Sequence, residues 1–306
     1  TKCRGLSNLE TFWNRRGVLG AVQDLTDFWL CVDSGAFSFY RKYVLPEGSR
    51  YIKQDYDYLK SKNFKEYLEG YITWLHKNKD KVGVYVTLDV IGSAEKTWEV
   101  LKYIESCGLK PLPVYHYGDD VSWLDKYIDN YEYIGVGGVA TFSDSRAFFD
   151  SVFRRIGLDE RGQIKRKVHG FACTDYKTVV RYPFFSVDSV SWIMGAAYGG
   201  ALFPQKGLDS AVFCQPALVK CSKVASKAKI STYILEYEAT VGKEWLQEYL
   251  TEVGVWDEQK SVMDIVDDVW VRRKLNLYYY KKLAEELERV EVWDVFSSKQ
   301  QRKFII

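Results

Sequence analysis

Phe184-Phe185-Ser186-Val187-Asp188-Ser189-Val190-Ser191-Trp192 decides how this chain is read. An apolar run enters it, a carboxylate stands at its end and small hydroxyl residues follow; Ile193-Met194-Gly195-Ala196-Ala197 then reads as the start of a packed helix. Two earlier stretches have the same form. Phe28-Trp29-Leu30-Cys31-Val32 runs into Asp33-Ser34-Gly35-Ala36-Phe37, and Val82-Gly83-Val84-Tyr85-Val86-Thr87-Leu88 runs into Asp89. A parallel barrel brings the C-terminal ends of its strands to one face, where reactive groups collect. Three aspartates at three strand ends therefore point to one polar site. Each alone also suits a plain turn, because Asp and Ser commonly bond the first N–H groups of the next helix.

Outward from these stretches, strands and helices alternate with short links, the pattern of a parallel sheet. Strands are expected at Asp27–Asp33, Val82–Leu88, Pro111–Tyr115, Tyr131–Val136, around Val168-His169-Gly170 and at Phe184–Asp188, with a further one at Ala211–Cys214. Helices are expected at Phe64–Lys77, from Ser93 through Cys107, at Val121–Tyr127, Asp144–Ile156 and Asp175–Val180. A short helix is marked around Leu9–Asn14, and Tyr40–Tyr58 reads as a Tyr/Lys-rich lid or loop. The expected architecture is an α/β fold, a (β/α)8 TIM-like barrel over residues 1–222 with its first strand missing or atypical. Residues 223–306 read as a mainly helical extension packed on the barrel. There Ile230–Ala239 suits either strand or helix, while Lys243–Leu250 and Ser261–Glu288 read as helices.

Among 306 residues, 47% are hydrophobic and 27% charged, ordinary values for a globular protein large enough to bury a sizeable core. Lys and Arg number 43 against 41 Asp and Glu, a net charge of +2, so no global basic field exists. Any nucleic-acid contact has to come from local patches, of which Lys220, Lys223, Lys227 and Lys229 form the favoured one and Arg272-Arg273 another. The six cysteines include no CxxC pair, and no His follows His169, so the usual zinc ligand set is not evident and reduced thiols are expected. Without a span of membrane length or a signal-peptide pattern, a soluble cytoplasmic protein with no membrane partner is expected.

The Gly137-Gly138 turn lets a flat ligand approach the backbone, or simply meets a turn's need for positive φ. His116 and His169 also fall at strand ends, as ligand contacts or as structural hydrogen-bonders. Carboxylates, a Gly-Gly turn, imidazoles and abundant aromatics suit a planar, hydrogen-bonding heterocycle. A carboxylate can read an N–H edge bidentately, aromatics stack on its faces, and a further carboxylate can attack an anomeric carbon.

Asp33-Ser34-Gly35-Ala36-Phe37 resembles the DSGG(F/Y) motif of tRNA-guanine transglycosylases. Val187-Asp188-Ser189-Val190-Ser191-Trp192 is similar to the FDSASY stretch that carries the nucleophile in their archaeosine branch. Leu88-Asp89-Val90, Gly135-Val136-Gly137-Gly138-Val139-Ala140 and Val168-His169-Gly170-Phe171 resemble the base-recognising aspartate, the Gly-Gly loop and the L-H-G/L-F-G strand, in the family's order, over about residues 27–200. The chain departs from the tRNA enzymes in lacking the C-x-C-x₂-C…H zinc site and any sign of an RNA-binding domain. Its resemblance is greatest to the DNA-guanine transglycosylases of the DpdA type, found in phages and bacterial modification islands.

The resemblance implies that guanine in DNA is exchanged for a 7-deazaguanine of the preQ0 kind, with tRNA as the alternative substrate. Asp188 would be the nucleophile at C1′ and Asp33 the general acid/base. Asp89 would read the purine edge, with His116, Gly137, Gly138 and Val139 completing the base pocket and His169, Ser189 and Ser191 supporting it. No cofactor or metal is expected, the second substrate being the free base. The target guanine has to leave the stack. A homodimer, helper proteins and a non-catalytic nucleic-acid-binding subunit remain open on these residues.

Overall fold

The computed structural model describes residues 8–12, 30–46, 56–138, 145–204, 216–221, 232–288, 293 and 295–296. The chain divides into two compact units, Thr1–Phe171 with Phe184–Val187, and Ala172–Pro183 with Asp188–Ile306.

The first unit is mixed α/β. Strand β1 (Asn8–Thr11) lies parallel to β2 (Leu30–Asp33), with Asn8 opposite Leu30 and Thr11 opposite Asp33. This corrects the short helix expected around Leu9–Asn14 and supplies the opening strand that seemed missing. Asn8-Leu9-Glu10-Thr11 has no apolar run to announce it; pairing with β2 gives its backbone groups their partners and overrides weak local preference. Strand β3 (Val84–Tyr85) pairs with β2, and just beyond it Val86 bridges Leu112. There the Thr87 N–H donates to the Leu112 carbonyl at 2.9 Å and the Leu112 N–H to the Tyr85 carbonyl at 2.7 Å. Strands β4 (Val114–His116), β5 (Tyr133–Gly137), β6 (Lys167–Gly170) and β7 (Ser186–Val187) then form a four-stranded parallel sheet in chain order. No pairing among the described residues joins β7 to β1, so the eight-stranded closure goes beyond these pairings.

Helices α1 (Ala36–Tyr43), α2 (Lys62–Asn78), α3 (Ala94–Ser106), α4 (Val121–Asn130) and α5 (Arg146–Ile156) separate the strands. Ser61 and Ser93 cap α2 and α3 by accepting the N–H groups of Phe64 and Lys96, both at 3.2 Å. Helix α1 takes up the start of the stretch that read as a loop from Tyr40, because Phe39 and Tyr40 are buried, Phe39 against Phe64 of α2. Period-two alternation divides the strand residues between two faces. Val32 joins Phe39, Phe64, Leu68 and Ile72 on the helix side, while Cys31 clusters with Val86, Leu112 and Val114. Leu75 and Leu101, fully withdrawn from water, each contribute roughly 2 kcal/mol.

The second unit holds α6 (Tyr176–Val179), α7 (Ser191–Ala197) and a three-stranded sheet. In it β8 (Gly200–Phe203) runs antiparallel to β9 (Ala217–Lys220), and β10 (Thr232–Tyr233) parallel to β9. Helices α8 (Ile234–Val241), α9 (Lys243–Val253), α10 (Val262–Val266) and α11 (Val269–Leu287) cover one face, around Phe203, Val219, Leu246, Leu250, Ile265 and Leu275. The single helix expected over Ser261–Glu288 is two, because Asp268 leaves helical geometry and caps α11, accepting the Trp270 N–H at 2.7 Å. Within the Ile230–Ala239 stretch, the described residues are strand at Thr232–Tyr233 and helix from Ile234 on.

Composition placed a change after residue 222, whereas the units divide at Phe171 and Val187. The reason is α11. Asn276 accepts the Leu202 N–H at 2.7 Å and donates to the Trp192 carbonyl at 2.8 Å, tying α7 and β8 to the helices that follow. No helix among the described residues is long and apolar enough to cross a membrane. The strand expected at Ala211–Cys214 lies outside the described residues.

Candidate functional site

The three strand-end aspartates are not the caps of the helices that follow them. Helix α1 has Gly35 at its N-cap, held left-handed at φ 75°, and α3 has Ser93. At the start of α7, the Ser191 N–H is taken by Ser189 Oγ at 2.9 Å.

In the first unit, Asp89 and His116 come together as expected from sequence, with a third residue that the motifs did not single out. His116 Nε2 lies 3.4 Å from Asp89 Oδ2, and Nδ1 lies 3.7 Å from Asp119 Oδ2. Asp119 Oδ2 also accepts the His116 backbone N–H at 3.1 Å, and the Tyr115 hydroxyl donates to the Asp119 carbonyl at 3.1 Å. Burial works against a charge on His116, but the adjacent Asp89 and Asp119 carboxylates outweigh it and hold the imidazole pKa up at about 10. The ring is therefore an imidazolium at neutral pH. Asp89 Oδ1, by contrast, is buried and has no hydrogen-bond partner among the described residues, and neither have the hydroxyls of Ser34, Thr87 and Tyr127. Buried polar atoms are nearly always bonded, so each of these gaps calls for an explanation. The signal for Asp119 was the doublet Asp119-Asp120. Asp120 caps α4 through the Ser122 N–H at 2.9 Å, which leaves Asp119 to turn back on His116.

Gly137 and Gly138 stand beside this cluster. A Cβ at Gly137 would lie 3.7 Å from the His116 ring, and one at Gly138, where φ is 80°, only 3.1 Å from the Tyr117 nitrogen. The Tyr117 N–H donates to the Gly137 carbonyl at 3.0 Å, leaving the exposed Tyr117 ring next to the turn. Asp33, at the end of β2, pushes up the pKa of the buried Tyr71 phenol in second place after burial itself. Tyr71 stays protonated and donates to the Val86 carbonyl at 2.7 Å. His169 is buried on β6, its Nδ1 2.6 Å from Ser186 Oγ, which lies 2.6 Å from the Tyr133 hydroxyl. Phe171 packs edge-on to the His169 ring.

In the second unit, Asp188 Oδ1 accepts the Ala172 N–H at 3.1 Å, and its carbonyl accepts the Cys173 N–H at 3.0 Å. Ala172 has φ 57°. Burial, and then the Asp188 charge, push the Cys173 thiol up to about 12, so it does not act as a thiolate at neutral pH. Ser191 Oγ is 3.0 Å from Thr174 Oγ1.

The expected polymer-binding cations have different fates. Arg272 is corrected: it is 5% exposed and donates to the carbonyls of Ala196, Val266 and Asp267, so its guanidinium serves the fold. Arg273 lies over the Trp270 ring at 4.4 Å, and Lys220 over Tyr233 at 4.9 Å. Lys223, Lys227, Lys229 and Val139 lie outside the described residues. Among the described residues no group of His, Cys, Asp and Glu is arranged to hold a metal ion. No family model matches the chain, and no curated protein matches it.

Proposed function

We propose that the protein is a base-exchange transglycosylase that replaces guanine in DNA with a 7-deazaguanine base through a covalent Asp188–nucleotide intermediate. The observation that carries this reading is the Asp89 carboxylate, with one oxygen facing an imidazolium and the other buried without a donor, beside the Gly137-Gly138 backbone. That arrangement suits the N–H edge of a flat heterocycle. Strands β1 to β7 run parallel in chain order, linked by the Val86–Leu112 bridge, whereas a doubly wound sheet reverses its order midway. The order supports a (β/α)8 TIM-like barrel, whose strand ends carry its chemistry.

In this reading the Asp188 carboxylate attacks C1′, the glycosidic bond breaks, and the departing guanine takes a proton from Asp33. The incoming free base returns a proton to Asp33, and its nitrogen displaces Asp188 from C1′. The Ala172 N–H fixes the direction of the Asp188 carboxylate. Phosphate contacts come from Lys220 and Arg273 together with Lys223, Lys227 and Lys229, and make binding salt-sensitive.

The test is adduct trapping. Wild type and Asp188→Asn are incubated with guanine-containing DNA and, separately, with tRNA, then resolved on a denaturing gel. A shifted band with DNA that Asp188→Asn abolishes is the expected result. A band with tRNA alone moves the activity to that polymer, and no band with either, on protein that remains folded, overturns the reading in favour of a binding subunit.

A further inference from the structure

His116 cannot read a base directly while it stands as it does. An imidazolium has two N–H groups, and both face carboxylates, Asp89 at 3.4 Å and Asp119 at 3.7 Å. Asp119 is itself fixed at both ends, its carboxylate by the His116 backbone N–H and its carbonyl by the Tyr115 hydroxyl. From α4, the Tyr127 hydroxyl faces the same cluster; burial first, then the charges of Asp89 and Asp119, push its pKa up, so it remains neutral. The cluster thus has one cation between two anions, and two buried oxygens, Asp89 Oδ1 and the Tyr127 hydroxyl, without a hydrogen-bond partner among the described residues.

We propose that Asp119 is a positioning residue acting through His116. It holds the imidazolium against one oxygen of Asp89 and leaves the other as an acceptor for the N–H edge of a flat heterocycle. The charge on the ring compensates the Asp89 carboxylate, whose side chain is only 12% exposed, and its direction fixes the rotation of that carboxylate. A freely turning carboxylate would sample orientations that present no lone pair to the ligand, so removing the brace weakens binding of the base more than it slows the chemistry. The inference rests on the base-pocket reading above and assigns a role that the motifs leave blank.

Two measurements test it. The first uses no substrate: the imidazole C–H signals of His76, His116 and His169 are followed by NMR against pH, with His116→Gln identifying the resonance. His116 is expected to stay charged through pH 8 in wild type and to titrate at lower pH in Asp119→Asn, where only Asp89 still faces the ring. The second follows incorporation of labelled free guanine into DNA. Asp119→Asn is expected to raise KM for guanine about tenfold, a usual size for loss of an orienting partner, with kcat little changed. Asp119→Glu regains part of the loss. An unmoved His116 titration in Asp119→Asn, or an unchanged KM, overturns the proposal while the transglycosylase reading stands. If wild type neither binds nor exchanges guanine and the titration still moves, the base-pocket reading fails. The role toward a heterocycle falls with it, and only the Asp119–His116 brace is retained.

Discussion

Arg272 and His116 are both cations held among acceptors, and they do opposite things. Arg272, in the second unit, directs its guanidinium at three backbone carbonyls. Those of Val266 and Asp267 close the end of α10, where the last carbonyls of a helix have no partner within it, while that of Ala196 also accepts the Gly199 N–H at 3.1 Å. Every acceptor it meets is satisfied by the fold. His116, in the first unit, faces two carboxylates and satisfies only one oxygen of Asp89. A cation that completes its surroundings stabilises structure; one that leaves an acceptor over prepares a place for something else. Charge and burial alone do not separate the two, but counting the acceptors left unbonded does.

The largest effect is expected at the completed site. Arg272→Met strands buried carbonyls and should cost about 3 kcal/mol or more of stability in urea unfolding. A loss under about 1 kcal/mol would mean that the carbonyls find other donors, and the contrast would collapse. A guanidinium does not titrate in the accessible range, so this loss should be flat from pH 6 to pH 10.

His116→Gln should instead give a loss that depends on pH. The folded pKa of His116 is raised from 6.5 to about 10, so the wild-type advantage is fully present below pH 6.5 and disappears as pH rises through about 10. Urea melts of both proteins at pH 6 and pH 10 check this, and an equal difference at the two values would mean that the carboxylates do not hold the ring charged. The smallest effect belongs to Arg155, whose pair with Asp125 on α4 lies in solvent with side chains 46% and 39% exposed. Arg155→Ala should change stability least of the three, and less again in high salt. A larger loss would show that exposure is a poor guide to which cations matter here.

Much of the candidate site was legible because strand ends advertise themselves. An apolar run that breaks into a polar residue located Asp33, Asp89 and the Gly137-Gly138 turn, and each falls at or just beyond a strand. Strand β1 was not legible, since Asn8-Leu9-Glu10-Thr11 acquires its conformation from β2 rather than from its own side chains. Asp119 was hidden by its twin: either member of Asp119-Asp120 can cap α4, and only the folded turn decides. Arg272 and Arg273 look interchangeable in a basic run. Yet Arg272, Leu275, Asn276, Tyr279 and Leu283 fall at three- and four-residue steps on the buried stripe of α11, and that spacing was a usable sign that Arg272 points inward.

Ala172 has a consequence for how this protein tolerates change. A non-glycine residue at φ 57° is strained by about 1 kcal/mol, and here that strained peptide supplies the N–H that grips Asp188. Ala172→Gly would relieve the strain, yet it would also let the peptide swing and blur the aim of the carboxylate. If Asp188 is the nucleophile proposed above, stability and precision are set against each other at one position, so a screen for thermal robustness would select the very change that a screen for turnover rejects.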